Sequence, residues 1–142
     1  MTMADNPAFP DRLKFSEFEM HRLPNGRCRA RVVLSRHDEH ELVGESEGLT
    51  SQAGELRCAA DSCVIALNKA VEGRFRFELL GVKAVRAFDS HVVIVSLALP
   101  GDMASQRLVG CYLSTDSDAP RGAALAVLNA TNRILGNRFF MR

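Results

Sequence analysis

RLVGCYLSTDSDAPRGAALAVLNATNRILG, residues 107–136, is the stretch on which the fold turns. An apolar run, a polar turn and an amphipathic run follow one another, which reads as buried strand, turn and helix. Residues 41–73, ELVGESEGLTSQAGELRCAADSCVIALNKAVEG, are laid out in the same way. Leu42-Val43-Gly44 answers Leu108-Val109-Gly110, and Ala60, Val64, Ile65, Val71 and Gly73 answer Ala123, Val127, Leu128, Ile134 and Gly136. The first copy carries three more residues between glycine and helix. Spacing kept on both sides of one loop insertion points to an internal duplication.

Strands precede each copy. Residues 13–23, LKFSEFEMHRL, are strand-like with imperfect alternation, and Pro24-Asn25-Gly26 follows as a hairpin turn whose residues tolerate positive φ. Residues 27–36 alternate well: Cys28, Ala30, Val32 and Leu34 point one way, and Arg27, Arg29 and Arg31 the other. After the polar turn His37-Asp38-Glu39-His40, residues 41–47 return as a third strand, and a helix covers about 55–71. Its stripe is Ala60, Val64, Leu67 and Val71, with Glu55 suiting the N-terminal dipole and Gly73 the C-terminal cap. The second half restarts at Arg74 with Phe75, Phe77 and Leu79 alternating, and Gly81 marks a bulge or register shift. HVVIVSLAL, residues 91–99, is apolar without interruption and predicts a central strand covered on both faces. Asp118 is the expected N-cap of the last helix, with Pro120 in its first turn and a stripe of Ala124, Val127, Leu128, Thr131 and Leu135.

The expectation is therefore an α+β fold of two pseudo-symmetric βββα units. A flexible lead-in (1–12) precedes one domain (13–142), divided into units 13–73 and 74–142. One helix per three-stranded sheet leaves apolar area over, which predicts a homodimer. Phe139, Phe140 and Met141 near the end of the sequence want cover and are the expected interface.

The 142 residues carry 18 basic and 17 acidic side chains, a net charge of +1 without any Lys/Arg run, which argues against nucleic acid as a partner. No apolar run is long enough to span a membrane, and the N-terminus lacks a signal-peptide pattern. Cys28, Cys58, Cys63 and Cys111 form no CxxC pair and read as reduced thiols of a cytoplasmic protein. No metal and no cofactor is expected. The two histidines at 37 and 40 read as solvated turn residues.

A doubled βββα layout closing on Leu128-Asn129-Ala130-Thr131-Asn132-Arg133, with Gly110 and Ser114-Thr115-Asp116 before it, resembles the C-terminal regulatory domain of the α-isopropylmalate synthase and citramalate synthase family. Gly44 and Gly48 resemble the outer glycines of that family's Gly-x-Gly-x-Gly turn, with Ser46 in the middle place. Here the first helix lacks the family's Pro-Val-Asp-Ala opening, Tyr112 replaces a glycine, and the turn after Asp116 is longer. The resemblance implies a stand-alone dimerising allosteric module that binds leucine or isoleucine, without the synthase's catalytic barrel. It places the ligand at Gly44, Gly48, Gly110, Ser114, Thr115 and Asp116. Glycines there let backbone N–H groups approach a carboxylate, and helix N-termini favour an anion.

The first reading is thus a non-catalytic regulatory module for a small amino or keto acid of the leucine type, acting on a separately encoded enzyme. A ligand-free assembly domain is the alternative. A hot-dog-type acyl-CoA thioesterase is a third, with Asp61 as its available carboxylate, although such a fold wraps one helix in one sheet.

Overall fold

The computed structural model describes residues 13–36, 40–101, 104–115 and 118–135, without the side chain of residue 133. Strands β1 (Leu13–Arg22), β2 (Arg27–Arg36) and β3 (Glu41–Leu49) form an antiparallel sheet in that order, followed by helix α1 (Gln52–Ala70). Strands β4 (Glu78–Ala87), β5 (Ser90–Leu99) and β6 (Gln106–Ser114) repeat the arrangement, followed by α2 (Ala119–Leu135). The chain is α+β and internally duplicated, each unit a three-stranded sheet with one helix.

Local chemistry accounts for the boundaries. A bulge between Phe15 and Glu17 explains the imperfect alternation of β1: Phe15 and Phe18 both reach the core because the strand slips by one residue between them. Gly26 closes the first hairpin at φ +76. Ser51 caps α1, its hydroxyl accepting from the Gly54 N–H at 3.0 Å, so the helix starts ahead of Glu55. At its other end Val71 is the cap residue, two places before Gly73. Asp118 caps α2 through the Arg121 N–H.

Strand β4 starts at Glu78, later than the alternation of Phe75 and Phe77 suggests. The reason is Asn68 of α1, whose side chain donates to the Phe77 carbonyl at 2.9 Å and accepts from its N–H at 2.8 Å. Phe77 is thereby tied to the helix and buried in the core. The register shift near Gly81 lies between Leu79 and Gly81.

Each helix covers the second and third strands of its own unit, lies against the other helix, and reaches the first strand of the other unit. Arg57 of α1 donates to the Leu79 carbonyl at 3.3 Å, and the Arg121 guanidinium of α2 stands 5.4 Å from the centre of the Phe15 ring. Enclosed on several sides, α2 buries Ala123, Leu125, Ala126 and Ala130 besides its predicted stripe.

The packing also revises the internal equivalence by one residue. Gly44 faces Ser62 and Ala66, whereas Gly110 faces Ala126 and Ala130. Ala60, Val64, Leu67 and Val71 therefore answer Ala124, Leu128, Thr131 and Leu135, and all eight are buried. From each glycine to the matching helix positions the first unit then has two more residues than the second, not three.

One expectation for β5 fails. It is the central strand of its sheet, but only Val93, Val95 and Leu97 are fully buried, on the face toward α2. Val92 and Ile94 point to the opposite face and stay partly exposed, because among the described residues the unit has no second helix to cover them.

Candidate functional site

The residues expected to frame a ligand stay in two sets, each against its own helix. A Cβ at Gly44 would collide with the Ser62 carbonyl oxygen and stand 2.7 Å from the Ala66 N. At Gly110 it would collide with the Ala126 carbonyl and stand 2.7 Å from the Ala130 Cα. Both glycines let strand and helix backbones touch. Gly48, farther along β3, lies beside the start of α1, where an added Cβ would be 3.4 Å from the Gly54 carbonyl and 3.6 Å from the Cys58 Cβ. Ser114 is buried at the end of β6, opposite His91, and Thr115 follows it exposed. Asp116 lies outside the described residues, as do Phe139, Phe140 and Met141.

Three grooves lined by described residues lie elsewhere. One of about 630 Å³ runs past Phe75, Arg76, Leu99 and Pro100. A second, of about 430 Å³, lies between β1 and the start of α2, beside Met20, Arg22 and Pro120. The third, of about 470 Å³, lies over Arg29 and Glu47. None of the three includes Gly44, Gly48, Gly110, Ser114 or Thr115.

Two buried thiols and one carboxyl are held toward their protonated forms. Burial, reinforced by neighbouring Cys28, pushes the Cys58 thiol up to about 12, and its S–H reaches the Ser46 carbonyl at 2.9 Å. Burial also raises Cys63. Thiols held protonated are weak nucleophiles. Partial burial raises the Asp61 carboxyl, and Arg57 at 3.9 Å opposes that shift. No group of three or more His, Cys, Asp or Glu among the described residues is placed to hold a metal ion. Nor is any helix among them long and apolar enough to cross a membrane.

The informative contrast lies on the outer faces of the two sheets, away from the helices. On the first sheet, Arg29 meets Glu47 at 2.6 Å, and Arg31 meets Glu17 at 2.9 Å and Glu45 at 3.6 Å. The hydrogen bond from Arg29, with its charge, holds the Glu47 carboxyl below its ordinary range. This face is charged and neutralises itself. The corresponding face of the second sheet is mostly apolar, with Lys83 and Ser96 as its polar side chains. Its cross-strand rows read Val85, Val92, Leu113; then Lys83, Ile94, Cys111; then Gly81, Ser96, Val109. Val109 is 64% exposed and Leu113 55%, and Phe88 at the adjoining β4–β5 turn is 99% exposed. Composition around β5 carried a signal for this face, but its position emerged only when the strands were paired.

Fold and faces together define an α+β domain of two pseudo-symmetric βββα units with unlike outer surfaces. No protein-family model matches the chain, and no characterised protein matches it in sequence.

Proposed function

We propose that this chain is a non-catalytic regulatory and dimerisation module, working in the cytoplasm. The observation that carries the reading is the uncovered apolar face of the second sheet, set against a self-neutralised face on the first. Contiguous apolar area at a surface is the mark of an interaction site. The resemblance to the regulatory domain of α-isopropylmalate and citramalate synthases supplies the ligand class, a small amino or keto acid of the leucine type, and a separately encoded enzyme as the protein regulated. A ligand-free assembly domain is the second reading. The observation favouring it is that Gly44 and Gly110 are occupied in strand–helix contact.

A thermal-shift screen against branched-chain amino acids, their keto acids and related 2-hydroxy acids separates the two. A ligand at about a hundred times its dissociation constant adds roughly 2.7 kcal/mol, several degrees in midpoint for a domain of this size. A selective rise supports the effector module, and a flat screen with a dimeric protein supports the assembly domain. Acyl-CoA hydrolysis above the uncatalysed rate would overturn both.

A further inference from the structure

We infer that the outer face of the β4-β5-β6 sheet is where a second copy of this chain docks, face to face about a twofold axis. This rests on the dimerisation proposed above and names its surface. Strand β5 carries apolar residues on both faces, with Ser96 breaking the outer one, yet α2 covers only the inner face. The open side presents Val85, Val92, Ile94, Val109 and Leu113 as one patch. At its end stands Phe88, fully exposed in the left-handed region at φ 53. A bulky side chain there is unusual, and backbone strain of this kind gathers at functional positions.

Charge and area identify the occupant. The patch lacks the patterned charge that would demand an unlike partner: Lys83 sits on edge strand β4, and Glu78 and Arg107 lie at the far end. Docking the patch on the first sheet would desolvate the Arg29–Glu47 and Arg31–Glu17 pairs, so that face is a poor partner. An identical apolar face matches the patch, and sheets pack this way with their strands nearly aligned. Three strands about 4.8 Å apart, each five residues long across the patch, give a footprint of roughly 240 Å². Phe88 adds on the order of 200 Å². Counted on both copies the interface buries roughly 900 Å², below the area of about 1,000 Å² that a stable specific contact needs, and so fits a weak, reversible dimer. Association in the micromolar range is expected.

The test is sedimentation equilibrium of the full chain and of the variant V109K/L113K, with circular dichroism to confirm folding. Leu49→Lys, at an exposed site of the first unit, is the control. The wild type and the control are expected at twice the 15.6 kDa chain mass near 100 µM. V109K/L113K should associate on the order of 100-fold more weakly, since each substitution acts twice across the axis. Should that variant not fold, Val109→Thr preserves the strand, and it should still weaken association several-fold. Cys111, the exposed thiol between Val109 and Leu113, supplies a second readout. Maleimide should label it more slowly above the dissociation constant than below. A dimer that survives V109K/L113K with Cys111 fully reactive overturns this surface and leaves the dimerisation reading standing. A monomeric wild type at 100 µM overturns both, whether the face is then covered by residues 136–142, by an unlike partner or by nothing.

Discussion

Gly44 and Gly110 occupy equivalent places on β3 and β6, and at each the helix backbone lies where a Cβ would be. Gly44→Ala must push α1 off its sheet, and overpacking of this kind costs about 1–3 kcal/mol. The expected result is a fall in thermal midpoint of roughly 3–10 °C, read by calorimetry. Phe88 acts in the opposite sense. It holds a left-handed conformation beside Asp89, whose φ is 64, in a two-residue turn that suits Asn or Gly. Phe88→Asn should raise stability by about 1 kcal/mol in dilute solution, while weakening self-association measured by sedimentation. Cys58 makes stability depend on alkaline pH. Its thiol keeps its proton to about 12 when folded and loses it near the ordinary value of 9.0 when unfolded. The unfolded state therefore binds fewer protons above pH 9, and stability falls as pH rises from about 9 to about 12. Denaturant titrations across that window should show the decline, and Cys58→Ser should reduce it.

At the scale of elements, the junction between the two units depends on a side chain that no periodicity marks. Asn68 gives the Phe77 backbone the two hydrogen bonds that a neighbouring strand would otherwise supply. Asn68→Ala leaves that N–H and C=O without partners beside a buried ring, at a cost of about 2–4 kcal/mol. Urea denaturation should show a lower midpoint with little change in slope, because the folded chain stays compact. Within the helices, buried Ser62 and Thr131 satisfy themselves by donating to carbonyls of their own helix, at 2.8 Å to Ala59 and 3.2 Å to Leu128. They occupy core positions and spend their hydroxyl hydrogen bonds within their own helices.

For the whole molecule, the two helices and the crossed first strands make each unit depend on the other. Arg57 reaches β4, and Arg121 lies over Phe15 of β1. Separated, residues 13–73 would leave the α2-facing side of α1 in water, and residues 74–142 would leave Phe77 and the opposite side of α2 uncovered. Neither half should unfold cooperatively alone when followed by circular dichroism, and mixing them in equal amounts should restore a single transition. If either half folds alone, the helix–helix contact is dispensable. The duplicated plan also explains how the two surfaces could diverge. The core is shared, whereas the outer sheet faces lie outside it, and one is charged while the other is mostly apolar.

Period-2 and period-3.6 patterns were enough to establish two strand–strand–strand–helix units, the hairpin at Gly26, the cap at Asp118 and the buried stripes of both helices. Each of these follows from local chemistry, which a chain carries in its residue order. Similarity between the two copies, by contrast, set the helices one residue out of step. In an Ala-rich helix neighbouring alignments look alike, and only the contacts of Gly44 and Gly110 distinguish them. The roles of those glycines, the Asn68 clamp and the bare face of β5 were likewise decided by the fold. A pattern reports which face of an element is apolar, and what comes to lie against that face depends on residues far away in the chain.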